Sequence, residues 1–273
     1  MERQLVVGAL SAGYSFYALT QVTPPLREPL TVADVHLQSR IDVDDEDILL
    51  QGYIIAAREY VETETLRLCR PQVWRLSLQR WPRVDFIQIP LGPVTSILSV
   101  TFQDTGGVVH TMQAGVDYYF DAEPQQARIQ LPFAGIWPPV ILNTASPIQI
   151  TFQAGYPNLR ANVVVTGADV AWTSGDAFDP SLQADVVQIG QQNCVVAAWN
   201  SASDLTLAAA PSVQGETTLA YDRLPEKFRQ AMRMLIGHWY ENRETVITGR
   251  SVTSVEIVKS VDALLSMEAT HRF

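Results

Sequence analysis

Between Leu30 and Cys69 the chain reads LTVADVHLQSRIDVDDEDILLQGYIIAAREYVETETLRLC, two helix starts in succession, and at Arg70 and Pro71 the apolar period changes to that of a strand. A fold that accepts this sequence must set helices beside β structure. Thr31 has the chemistry of an N-cap, and Asp34, three residues on, completes a capping box. The first helix is short and carries Val32, Val35, Leu37 and Ile41 inward. The second starts in the run Asp42, Val43, Asp44, Asp45, Glu46, Asp47, with Asp44 as its N-cap and the clustered carboxylates opposing the positive end of the helix dipole. From Ile48 apolar residues recur at helical spacing in two lines, Leu49, Tyr53, Ala56, Tyr60 and Leu50, Ile54, Ala57, Val61. Glu59, Glu62 and Glu64 fall opposite them, as a solvated face would.

The alternation of Asp42, Asp44 and Glu46 resembles the first ligands of a calcium loop. Asp47 stands where that loop needs Gly and Tyr53 where it needs a bidentate Glu, so no metal site is expected there. No cofactor motif occurs elsewhere.

After Pro71, Trp74, Leu76 and Leu78 alternate with polar neighbours at the strand period. Further strands are expected at Phe86–Ile89, Ile97–Phe102, Tyr118–Phe120, Arg128–Leu131 and Ile148–Phe152, with a turn at Asp104–Gly107. Residues 160–222 change composition, becoming rich in Val, Ala, Thr, Ser, Gly and Gln with almost no Lys or Arg. Six short strand candidates, Val163–Thr166, Val170–Trp172, Val186–Ile189, Cys194–Trp199, Leu205–Ala208 and Thr217–Tyr221, predict a small β-barrel or sandwich inserted in the chain. Helical spacing returns after Pro225, at the first helical position, with Phe228, Ala231, Leu235 and Trp239 on one face and Met232, Ile236 and Tyr240 beside it. A last helix is expected over Glu256–Ala269. Residues 1–29 lack a helical period and predict an extended arm that is disordered or docks as a strand on a neighbour.

A formal charge of −10 argues against a protein that grips nucleic acid by neutralising phosphates. Cys69 and Cys194 stand in no metal or redox motif, so reduced, intracellular synthesis fits. The N-terminus makes a poor secretory signal, and no apolar run approaches the roughly eighteen residues of a membrane span. An enzyme would have to draw on Asp85, Asp104 or Asp117 with His110, and neither a nucleophile motif nor a phosphate loop accompanies them. His238, Glu241, Arg243 and Glu244 read as ordinary helix-surface charges. No catalytic activity is expected.

The segments LTVADVHLQSRIDVDDEDILLQGYIIAAREYVE, LCRPQVWRLSLQRWP, IQIPLGPVTSILSVTF, TFQAGYP, RQAMRMLIGHWYENRE and VDALLSM, in this order, resemble the neck adaptor proteins of tailed bacteriophages, the head-tail connectors of the gene-six and gene-eight type. They cover about two-thirds of the chain. The resemblance implies an α+β fold: a small helical bundle core of connector type over residues 30–159 and 223–273, with a β-hairpin or β-sheet region and the inserted all-β domain at 160–222. It implies a structural protein of the virion neck, made in the host cytoplasm. Copies of it form a ring, usually of twelve, beneath the portal, joining capsid to tail and extending the channel used in genome packaging and ejection. Its partners would be further copies of itself, the portal protein and a stopper or tail-completion protein, with double-stranded DNA passing through and no membrane contact. Leu49, Tyr53, Tyr60, Phe228, Leu235 and Trp239 would stand at the ring-body interface, and Val261, Leu264, Leu265 and Phe273 in a portal-facing tail. Excess carboxylates would either line the lumen, where they repel the DNA backbone, or only keep the surface soluble. The alternative is another virion protein, a tail terminator or baseplate component, with the β insert as a binding module.

Overall fold

A computed structural model of the chain describes residues 4–5, 17–40, 45–122, 126–242 and 253–266. The chain divides into two compact units, Met1–Gly155 with Pro225–Phe273, and Tyr156–Leu224.

The first unit begins with β1 (Gln4–Leu5) and β2 (Tyr17–Thr23), followed by helices α1 (Val32–Ser39) and α2 (Asp47–Thr65). Strands β3 (Gln72–Leu78), β4 (Phe86–Gln88), β5 (Val94–Gln103), β6 (Val109–Met112), β7 (Tyr119–Asp121), β8 (Arg128–Gln130) and β9 (Ile148–Ala154) come next. An antiparallel sheet runs in the order β1-β2-β3-β9-β5-β6, and a smaller one in the order β4-β8-β7. The strand period explains the layering. Trp74, Leu76 and Leu78 of β3 and Ile148, Ile150 and Phe152 of β9 point to one side and share a buried cluster with Ile87 of β4 and Ile129 of β8. The stretch expected to be an extended arm, disordered or docked as a strand on a neighbour, supplies β2, whose Tyr17 and Leu19 join that cluster by pairing with Leu78 and Leu76 of the same chain.

Helices α1 and α2 lead into this β structure, and α3 (Glu226–Glu241) and α4 (Thr253–Ser266) follow the second unit. Thr31 caps α1 as the sequence predicts, accepting from the Asp34 N–H at 3.2 Å while the Asp34 carboxylate accepts from the Thr31 N–H at 2.8 Å. Leu37 does not turn inward; it is 84% exposed. Asp44 lies outside the described residues, and α2 starts at Asp47 with Glu46 at the N-cap, making no side-chain bond to the helix backbone. Glu46 instead accepts from the Tyr240 hydroxyl at 2.7 Å, which ties α2 to α3. Pro225 sits at the N-cap of α3 and not at its first helical position, and the last helix starts before the expected Glu256. The helices pack on one another, but a helical bundle is not the core of this unit. Its main hydrophobic cluster is β structure and takes in no residue of α1 to α4, because the two sheets already bury their apolar rows against each other.

The second unit is a closed antiparallel barrel. Its strands are β10 (Asn158–Thr166), β11 (Asp169–Gly175), β12 (Val186–Ile189), β13 (Gln192–Trp199), β14 (Asp204–Leu207) and β15 (Gly215–Asp222). The order around the barrel is β10-β11-β14-β13-β12-β15. Each expected strand of the 160–222 segment is present, and alternate residues such as Val163, Val165, Val187, Ile189, Val196 and Leu219 fill the interior.

Gly155 marks the exit from the first unit, with φ +124° and a place for Cβ only 2.0 Å from the Arg70 carbonyl oxygen. Gly155→Ala is expected to destabilise the protein by about 3 kcal/mol or more in urea denaturation, since backbone must move. Gly167→Ala, at φ +63° with open space around it, should cost about 1 kcal/mol. Removing the α1 cap by Thr31→Ala should cost about 1 kcal/mol at neutral pH. Burial alone would raise the Asp34 pKa, but hydrogen bonds from the Thr31 N–H and hydroxyl outweigh it and hold the carboxyl below its ordinary value. Stability from a lowered pKa is present above the ordinary Asp value of about 3.9 and is lost as pH falls through the lowered one. The gap between wild type and Thr31→Ala should therefore be constant near neutrality and shrink only in acid.

Candidate interaction surfaces

Glu62, expected on a solvated face, is 3% exposed and sits at the joint between helices and sheets. Its Oε2 accepts from Arg58 Nη1 at 3.0 Å, one helical turn back. Its Oε1 accepts from the Cys69 backbone N–H at 3.0 Å and from Gln72 Nε2 at 2.8 Å. Arg58 Nε donates to Glu28 Oε2 at 2.7 Å, and Arg70 Nη2 donates to the Pro29 carbonyl at 3.3 Å. Gln72 Oε1 accepts from Gln21 Nε2 at 2.6 Å and from Trp74 Nε1 at 3.2 Å. This network pairs the buried Arg58 and Glu62 with each other and with their neighbours, and fixes β2, the 24–31 segment, α2 and β3 to one another. Burial opposes the charge on Arg58, but the Glu62 and Glu28 carboxylates outweigh it and raise the guanidinium pKa above its usual value. Burial, with Glu62 close by, pushes the Cys69 thiol well up.

With the inner side of α2 so occupied, its outer side is left bare. Ile48 is 86% exposed, and Leu49, Gly52, Ile55 and Ala56 are exposed along the same flank. Of the residues expected at a ring interface, Leu49 reaches solvent, and Tyr53, Tyr60 and Trp239 are half-buried. The Tyr53 and Trp239 rings meet at 6.1 Å, and the Tyr60 hydroxyl donates to Asp262 at 3.4 Å. Phe228 and Leu235 are buried inside this chain, where they hold α3 against its neighbours. Of the residues expected in a portal-facing tail, Val261 and Leu265 are buried, Leu264 is half-buried and Phe273 lies outside the described residues.

A second exposed apolar surface was not legible as such in the sequence. The segment after β8, PFAGIWPPVI, is pinned by Trp137, whose indole N–H donates to the Val84 carbonyl at 2.8 Å and whose ring stacks on Trp81 at 4.8 Å. Trp81 in turn meets the Phe102 ring at 5.6 Å. The pinned segment holds Phe133, Ile136 and Ile141 in solvent beside a cavity of about 410 Å³ that Phe102, His110, Met112, Val116 and Ile136 help to line. The signal available to a reader was the apolar run itself, with two aromatic residues between prolines.

Of the residues weighed for acid–base chemistry, Asp104, His110 and Asp117 make turn contacts, and Asp85 accepts from the Leu131 N–H through its backbone carbonyl. Asp104 and His110 come together, Nε2 to Oδ2, at 2.9 Å, but Asp104 Oδ1 accepts from the Gly106 and Val108 N–H groups to build the β5–β6 turn. The bond from His110, helped by those backbone groups, holds the Asp104 carboxyl below its ordinary value. Asp117 caps a separate turn through the Gln113 N–H. Among the described residues no three His, Cys, Asp or Glu side chains are grouped to hold a metal, and no helix is long and apolar enough to cross a membrane.

No protein-family model matches the chain, and no curated protein does. Solved structures do. A chain of the virion of the native gene transfer agent (GTA) particle is 20% identical, with a TM-score of 0.56 over 93% of this chain and 96% of that one. A chain from the neck of the empty GTA particle, computed with C6 symmetry, gives the same figures. One from the neck of the native GTA particle, computed with C12 symmetry, is 19% identical with a TM-score of 0.53 and the same coverage. At this identity the likeness is one of fold, spanning nearly the whole of both chains.

Arg58→Met should strand the Glu62 carboxylate in the joint and destabilise the protein by about 3 to 5 kcal/mol. Two measurements check it: urea denaturation, and alkylation of Cys69, which should speed up relative to Cys194 as the joint opens.

Proposed function

We propose that this chain is a structural protein of the neck of a tailed, phage-like particle, an adaptor that forms a ring at the junction of head and tail. The observation that carries this reading is the end-to-end likeness of fold to chains from GTA particles, two of them from necks treated with ring symmetry. The bare flank of α2 supports it. Ile48 and Ile55, two turns apart, align on an outer helix face with Leu49 beside them, and apolar side chains so placed are stabilised when a neighbouring copy covers them. The ring has twelve copies, rests on a portal above and receives a stopper or tail protein below. The chain's formal charge of −10 suits a channel wall past which a DNA backbone slides without sticking. The role is mechanical and not catalytic.

The test is reconstitution with a portal, followed by cryo-electron microscopy. The wild type is expected to add a twelve-fold ring. The double variant Ile48→Asp, Ile55→Asp changes only exposed positions, so its stability should stay within about 0.5 kcal/mol of wild type while ring density is lost. A wild-type protein that binds no portal, or that assembles with three-fold symmetry, would sink the adaptor reading.

A further inference from the structure

Phe133 is displayed on a rigid tip. It is the second residue of a tight turn that the Gly135 N–H closes on the Pro132 carbonyl at 2.8 Å, and the third, Ala134, is held in the left-handed region at φ +58°. A non-glycine residue held there stores strain. Trp137, just beyond the turn, is fastened to Trp81 and to the Val84 carbonyl. The Phe133 ring is wholly exposed, so it contributes no packing within this chain. A cation stands near it. The antiparallel pairing of Phe86 with Gln130 continues as the Leu131 N–H bond to the Asp85 carbonyl, and two residues further on either side stand Arg83 and Phe133. Arg83 is exposed and has no ion-pair partner among the described residues.

The bare flank of α2 has the opposite relief. Between Ile48 and Ile55 stands Gly52, where a Cβ would meet nothing within 4 Å. Glycine inside a helix is destabilising relative to alanine, and the packing of this chain does not call for it. It leaves a notch in the apolar flank, with the small Ala56 one turn further on. Asp45, three residues before Ile48, is exposed and has no ion-pair partner among the described residues. One surface is thus an aromatic knob with a cation near it, and the other an apolar notch with an anion near it. Both are bare, so they do not meet within one chain.

We propose that Phe133 of one copy seats in the notch at Gly52 of the next, between Ile48 and Ile55, with Arg83 of the first copy facing Asp45 of the second. This inference rests on the ring reading above and names the contact that joins its copies. A ring of more than two copies joins unlike surfaces, each copy offering both. A rigid aromatic anchor loses little freedom on binding and carries most of the affinity, while the charged pair at its rim sets orientation.

Charge reversal tests the contact in the full-length chain. Arg83→Glu and Asp45→Arg, each alone, should raise the protein concentration needed for rings on the portal about fivefold, and the chain carrying both should return to the wild-type value. Gly52→Leu should keep or raise the urea midpoint of the free chain and still abolish rings, because it fills the notch. Gln51→Cys and Ala134→Cys proteins, both altered at exposed positions, are also mixed, oxidised free in concentrated solution and on the portal, and separated without reductant. Native Cys69 and Cys194 stay buried. A disulfide-linked two-chain species that neither variant gives alone is expected. Rings seen by electron microscopy without this cross-link, or a double reversal no better than either single one, overturn the contact and spare the ring reading. The cross-link without rings does the reverse, and the absence of both overturns both.

Discussion

The buried Arg58–Glu62 pair is the interaction on which the first unit depends. Glu62 is on α2, its Oε1 accepts from the Cys69 N–H and from Gln72 at the start of β3, and its counter-ion Arg58 reaches back to Glu28 in the segment after β2. Helix α2, the start of β3 and the segment after β2 are thus joined through one ion pair. A buried pair of this kind adds little net stability over a well-packed apolar substitute, because desolvation offsets most of the attraction. What it adds is geometry. An apolar joint would tolerate small rotations of α2 against the sheet, whereas charge-assisted bonds in fixed directions do not.

That fixed direction decides which surfaces stay bare. The C-terminal end of α2 is held beside the sheet by the joint and by the backbone bonds of Leu66 and Leu68 with Gly92. Helices α3 and α4 cover the inner side of α2, leaving Ile48, Leu49 and Ile55 facing out. At the opposite end of β5, the Trp81–Trp137 stack holds an apolar loop away from the core. A chain selected only to fold alone would place such residues inside, since nothing in either location prevents a polar substitution. Under the ring reading proposed above, a neighbouring copy would cover them.

Where local chemistry decides, the sequence was readable. The capping box at Thr31 and Asp34, the alternation of Trp74, Leu76 and Leu78, and all six strands of the barrel follow from nearest-neighbour pattern and turn residues. Glu62 could not be read that way. On the helical wheel it falls with Glu59 and Glu64, and only long-range contacts with Gln72 and Cys69 put it inside. Leu37 failed in the opposite direction, since a helical period says which residues share a face but not whether anything packs on it. The N-terminal strand was misjudged for a related reason: an extended apolar stretch says that it will pair, and β3 of its own chain was one partner among those open to it. The exposed loop around Ile136 is the hardest case, because an apolar run reads as core until the structure shows it outside.

The contrast between the two units sharpens the assembly reading. An open sheet presents unpaired N–H and C=O groups at each edge and invites uncontrolled pairing. The 156–224 unit avoids this by closing into a barrel, so it interrupts the chain without adding an edge. The six-stranded sheet stays open, yet its edges are short. β1 is two residues long, β6 is four, and β5, where β6 leaves it uncovered, carries register shifts between Val94 and Ser96 and between Ile97 and Ser99. Bulges of this sort bend a strand away from a flat template. Backbone pairing is thereby discouraged at the β6 edge, near which Val116, Ile136 and Ile141 are exposed.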